Sequence, residues 1–263
     1  MHVTKRGEGR LDRSEGWGTQ DGIDLRWLID SALGEAPRGA VGRITVEPGA
    51  AQAIHRHPGS EEATLVLAGS GSALVGGAEV PLERGNVVFA PTGTAHGIAA
   101  GAEPLDLLVL TAAADGASAG WEDTAESANG TEATVLSGRE VDEQELDDTT
   151  IGFIGMHARW LVDTEICGAE GIVLGVSRFR PGDGVHDLHR HPGTAEFFIV
   201  LEGAGAHLDA DGAEVPVAVG DAAYLPINSW HGFRNTGDVE VQAVFGFMDV
   251  PSFDDAGYEL PES

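Results

Sequence analysis

Lysine is almost missing from this chain: Lys5 is the only one, and every other basic side chain is an arginine. Basic residues of both kinds number 15 against 43 acidic ones, for a formal net charge of −28. So negative a surface repels phosphate backbones and anionic headgroups, which excludes nucleic acid and acidic membranes as partners. The acids are spread through both halves and do not form one tail, as expected of a solvated acidic surface in a salt-rich cytoplasm or in a protein from a high-GC source.

Cysteine is equally scarce. The single Cys167 excludes an intramolecular disulfide and any thiolate cluster for zinc or iron–sulfur, and it reads as a small buried hydrophobe. No apolar run approaches the roughly 18 residues of a membrane-spanning helix. The opening MHVTKRGEGRLDRSEG has no apolar leader core, so a soluble, cytoplasmic protein is expected.

What the chain does contain, it contains twice. RWLID at 26–30 returns as RWLVD at 159–163, HRHPG at 55–59 as HRHPG at 189–193, GAEVP at 77–81 as GAEVP at 212–216, and PTGTAHG at 91–97 as PINSWHG at 226–232. The offset grows by single residues between these anchors, as when short turns take small insertions. Two long copies make a tandem duplication, too few and too long for a solenoid. The expected units are an N-terminal barrel over 1–112, an acidic linker over 113–150 and a C-terminal barrel over 151–263.

Within each copy the apolar runs are four to eight residues long, rich in Val, Ile, Leu, Phe and Thr, and bounded by Gly, Pro, Asn or Asp, as in ATLVLAG, NVVFAP and FFIVLEG. Those are strand signals, and many short strands with regular turns predict an all-β sandwich or barrel per copy. Helix is expected only in short pieces, near LRWLIDSAL (25–33) and in the linker.

Residues two apart on a strand share a face, so His55 with His57, and His189 with His191, present paired imidazoles to one interior. A Pro-Gly turn follows each pair, and Glu62 or Glu196 opens the next strand toward the same space. His96 and His231 follow a turn, strand and turn of their own. Glu61 competes with Glu62, but Glu62 matches Glu196 and keeps its spacing to Gly69.

With these residues in view, both halves resemble cupins, whose motifs are G(x)5HxH(x)3-4E(x)6G and G(x)5PxG(x)2H(x)3N. Copy one supplies Gly49, His55, His57, Glu62, Gly69, Gly85, Pro91, Gly93 and His96, with Ala100 in place of the final Asn. Copy two supplies His189, His191, Glu196, Gly203, Gly220, Pro226, His231 and Asn235, with Asn228 replacing a motif glycine and one extra residue between Gly182 and His189. The departures fall on turns and leave every ligand position intact. The resemblance implies two tandem jelly-roll barrels, up to two divalent transition metals per chain on His55, His57, Glu62, His96 and on His189, His191, Glu196, His231, and a homodimer through paired sheets. Fe(II) is the first choice of metal, with Mn, Ni and Zn as alternatives.

Strand alternation places Ala53, Thr64, Phe89 and Ile98 with the ligands of copy one, and Asp187, Phe198, Tyr224 and Phe233 with those of copy two. The aromatic second interior is the expected substrate site, with Phe198, Tyr224 and Phe233 as its contacts. Trp27 and Trp160 are expected to pack one copy on the other, Arg180 and Arg234 to face outward, and His2, His157 and His207 to be exposed. His186 is left as a neighbour of the second ligand set.

A small-molecule substrate is therefore expected, and no catalytic group is identified beyond the metal ligands. The first functional expectation is an Fe(II) dioxygenase; the alternative is a non-redox isomerase, decarboxylase, lyase or aminohydrolase using Mn, Zn or Ni. A binding cupin is a third reading, opposed by two intact ligand sets. Oxalate decarboxylases are similar in duplication but are longer, with different residues around the ligands.

Overall fold

The structure, a computed structural model, describes residues 1–12, 20–31, 38–112, 120–124, 126–128 and 130–262. Four antiparallel sheets build two barrels, each from one seven-stranded and one five-stranded sheet. In the first, Glu61–Ala68, Leu105–Ala112, Gly39–Val46 and Ile23–Ile29 lie side by side, facing a smaller sheet that includes His55–Arg56, His96–Ala100 and Ser70–Val75. In the second, Glu196–Glu202, Val241–Met248, Ile172–Phe179 and Met156–Val162 face Val185–His189, His231–Asn235 and Ala204–Asp209.

The strand Leu105–Ala112 explains why some runs are apolar throughout. Leu107 and Val109 point into the first barrel, while Leu108 and Leu110 point into a layer shared by both barrels. That layer draws chiefly on the two seven-stranded sheets, whose faces are both buried, so period-two polarity disappears there. Each buried leucine contributes about 1.5–3 kcal/mol.

Segment 113–150, expected to be a linker, contributes strands to both barrels. Glu122–Asp123 pairs with His55–Arg56, Thr134–Ser137 pairs with Asn86–Phe89, and Gln144–Leu146 pairs with Met156–Ala158. Thr134–Ser137, from between the copies, thus closes an edge of barrel one. Reciprocally, His2–Thr4 closes barrel two by pairing with Ala222–Tyr224. This exchange satisfies two sheet edges that would otherwise present unpaired backbone groups.

Leu25 to Ile29, expected as helix, forms a strand instead, because its alternate residues enter two different cores; Ala32 and Leu33, at the end of that expected helix, lie outside the described residues. The tryptophans do not pack the copies together: Trp27 fills the first barrel and Trp160 borders the interior of the second. Their neighbours Leu28 and Leu161, one residue along and hence on the opposite face, occupy the shared layer.

Candidate metal centres

In copy one, register sets His96 directly opposite His55, and in copy two His231 opposite His189. The turn after each HxH brings the second histidine and the glutamate into the same space. All eight side chains are buried, and each group of four offers ligand atoms within 4.8 Å of one another. In the first centre His55 Nε2 is 3.2 Å from His57 Nε2, which is 2.9 Å from Glu62 Oε2. In the second, Glu196 Oε2 lies 2.9 Å from His231 Nε2 and 3.3 Å from His191 Nε2.

The opposite nitrogen of every ring is committed elsewhere. His55 Nδ1–H donates to Ala53 O, His96 to Thr94 O, His189 to Asp187 O and His231 to Ser229 O, all at 2.7–2.9 Å. His57 and His191 each donate at 2.6 Å to a distant glycine carbonyl, Gly120 and Gly257 respectively. Six Nδ1–H donors fixed in this way leave six Nε2 lone pairs aimed inward, the tautomer a metal requires. Nε2 of His96, His189 and His191 is buried with no hydrogen-bond partner, a cost of about 1–3 kcal/mol each that a cation would remove.

Burial pushes Glu62 and Glu196 toward protonation, but the surrounding histidines outweigh it and hold both well below the ordinary carboxylate range. Burial likewise presses His55 down to about 2, helped by His96, and His189 down to about 4 against the pull of Glu196. His96, by contrast, is raised, the effect of burial being outweighed by the Glu62 carboxylate. Three imidazoles and one ionised carboxylate converging in each barrel form a cage for one divalent cation. The ligand atoms of each set, all within 4.8 Å of one another, are close enough to share a single ion.

Turn departures in copy two are absorbed locally. Asn228 adopts φ 62 where Gly93 adopts φ 74, so the replacement keeps the left-handed turn, which asparagine tolerates. Glu61 is no ligand; it accepts from the backbone N–H of Glu170 and Gly171 at 2.8–3.1 Å, joining the copies.

The interiors differ from expectation in places. Thr64 and Ile98 do face the first interior, Thr64 donating to Glu62 Oε1 at 2.7 Å. Phe89 and Tyr224 instead enter the shared layer. Tyr224 pairs with Phe197 and Ala223 with Phe198, so one face carries Phe198 inward and the other carries Tyr224 away. Phe233 packs inside the second barrel, 4.6 Å from Phe198, but only Phe198 of the three borders the cavity there. Ala53 and Asp187 are exposed, Ala53 lying before its strand begins at His55 and Asp187 on a strand that shifts register between His186 and His189. That irregularity turns His186 inward, stacked on His189 at 3.8 Å. His207 is buried, not exposed, because its position opposite Phe233 faces the interior; His2 is exposed and His157 half-buried. Arg180 turns outward to Asp183 and Arg234 to Glu214.

A repeat beyond the cupin motifs supports both cages. Gly120-Trp121-Glu122 corresponds to Gly257-Tyr258-Glu259. Both glycines have positive φ, 71 and 70, and give the carbonyls that hold His57 and His191. Both glutamates pair with the arginine of HRH, Arg56–Glu122 and Arg190–Glu259. Both aromatic rings lie against the first histidine, Trp121 stacked on His55 at 3.5 Å and Tyr258 at 5.1 Å from His189. The sequence signal was the shared Ala-Gly-aromatic-Glu, at 119–122 and 256–259, just past each barrel.

A cavity of about 480 Å³ adjoins the second centre, lined by His191 and Glu196 together with phenylalanines, Trp160 and Met156.

Comparison with known proteins agrees with this geometry. The cupin domain family matches residues 42–111 and 175–247. Polyketide synthase CurC of Streptomyces cyaneus is 34% identical over 110 residues, covering 41% of this chain and 70% of that protein. An oxalate-binding protein of Thermotoga maritima is 34% identical over 62 residues, 24% of this chain and 50% of its own. A Bacillus subtilis oxalate decarboxylase structure described for its Mn(II) centres superposes with a TM-score of 0.72 at 16% identity, covering 100% of this chain and 82% of that one. At that identity the likeness is one of fold.

Proposed function

The chain belongs to the cupin family, and from that premise we propose a divalent-metal enzyme of the non-redox kind, working in the second barrel with Mn(II) as its preferred ion. The observation that carries the reading is the second cage meeting a cavity: His191 and Glu196, two of its four ligands, line about 480 Å³ of mainly apolar space. This departs from the Fe(II) dioxygenase suggested by the ligand set alone. Support comes from the oxalate-directed relatives and from the Mn(II) centres of a protein sharing the fold.

A bound divalent ion would supply Lewis acidity toward a carbonyl or carboxylate oxygen. The chain's own residues supply the rest. Glu196, kept ionised, lowers the charge of the site, and the Nδ1–H bonds of the three histidines fix their rings before anything binds. Phe179, Phe198, Phe245 and Phe247 exclude water from the walls, so a substrate is oriented by shape and by few polar contacts.

The test is purification without a histidine tag, metal quantification, and a decarboxylase, lyase and isomerase screen with and without oxygen. Stoichiometric manganese and oxygen-independent turnover abolished by His191→Ala support the reading. Turnover strictly coupled to oxygen consumption contradicts it.

A further inference from the structure

The wall of the second cavity carries one polar group that the fold does not use. Ser177 is 1% exposed, and its hydroxyl has no hydrogen-bond partner. It stands on Ile172–Phe179 between Ala158 and Ala243, with Phe179 two residues on and on the same face; Ser177, Ala158 and Phe179 all border the cavity. At the equivalent position of copy one, the chain places Ile44, whose side chain fills the first barrel. Copy two therefore has both the room and an unsatisfied hydroxyl where copy one has hydrocarbon.

Charge gives the second half of the argument. Among the described residues lining this cavity there is no lysine or arginine, while Asp163, Glu165 and Asp254 are part of the lining. A dicarboxylate chelating a divalent ion already paired with Glu196 would give the site a net negative charge with no lysine or arginine in the lining to offset it.

Resting on the reading that this cavity is the substrate site, we propose that it selects a ring-bearing ligand with an apolar body, a polar substituent that hydrogen-bonds Ser177, and a chelating oxygen head that carries at most one negative charge when bound, as a 1,3-diketone does after giving up its enol proton to solvent, and that it discriminates against small dicarboxylates.

Calorimetric titration of the Mn(II)-loaded protein with benzoylacetone, its 4-hydroxyphenyl analogue and oxalate tests this. Benzoylacetone is expected to bind at least about tenfold more tightly than oxalate, and the hydroxyl analogue roughly fivefold more tightly again, the worth of one neutral hydrogen bond. Ser177→Ala should erase only the hydroxyl preference. Ser177→Ile, which places the copy-one residue in copy two, should abolish binding of both aromatic probes while manganese content, measured in parallel, stays at the wild-type level. Oxalate binding as tightly as benzoylacetone, no aromatic binding at all, or a hydroxyl preference that survives Ser177→Ala would overturn the inference. Aromatic binding that persists unchanged in His191→Ala would instead overturn the reading of the metal site beneath it.

Discussion

The two metal centres have the same four ligands, the same three Nδ1 locks and the same glycine, aromatic and glutamate behind them, yet hardly one residue just outside that set is shared. Thr64 bonds Glu62 in the first; Phe198 takes its place beside Glu196 in the second. Gln52 precedes His55 where His186 stacks on His189. Ile44 and Ala73 stand where Ser177 and His207 are found. The cage and its supports form one unit, and the barrel wall is another that changes independently. Holding a metal and shaping a substrate cavity are thereby separable tasks.

The comparison is broken most drastically by removing one ligand at a time. His57→Ala and His191→Ala should each lose the metal of its own barrel and keep the other, halving metal content by mass spectrometry, because the ligand sets share no side chain. Only His191→Ala should abolish turnover.

Less severe is the loss of the glycine supports. Gly120→Ala and Gly257→Ala place a Cβ on a backbone with positive φ, and Gly257, with φ 70 and ψ 159, lies where essentially only glycine is found, so each costs about 1–3 kcal/mol. Both also shift the carbonyl that orients a ligand, for which a loss of about 10–100-fold in metal affinity is expected. Competition with a chelator should find this loss confined to the substituted barrel.

A third effect belongs to barrel two alone. Burial holds His207 down to about 4, against an ordinary 6.5. The unfolded chain therefore binds the extra proton first, and this contribution to stability is present above 6.5 and lost as pH falls from 6.5 toward 4. Urea unfolding across that range should show a pH slope flatter by up to one proton in His207→Leu than in wild type.

The smallest effect separates support from surface decoration. Arg56→Ala and Arg190→Ala break half-exposed ion pairs, and each should change stability by about 0–1 kcal/mol in thermal melts. A larger loss in one barrel would show that its outer pair helps to hold the cage.

The eight ligands were legible in the sequence because metal chemistry demands particular residues at fixed spacing, and the duplication displayed the pattern twice. Barrel architecture followed from short strands between turns. His2–Thr4 was not legible, since three residues carry no periodicity and its partner strand lies 218 or more residues away. Tyr224 was misplaced because alternation must be counted from a known starting face, and an error of one residue reverses the strand. His186 and Asp187 exchanged roles at a register shift, which composition does not announce. Gly120 and Gly257 could have been found by extending the repeat past the last strand.

The central claim is that the chain builds two equivalent cages and lends only the second to a substrate. Electron paramagnetic resonance of Mn(II)-loaded His57→Ala and His191→Ala, each titrated with benzoylacetone, tests it most directly. The account predicts that the Mn(II) signal shifts in His57→Ala, where only the second cage is filled, and stays unchanged in His191→Ala. A shift in His191→Ala alone, or an equal shift in both, would contradict it.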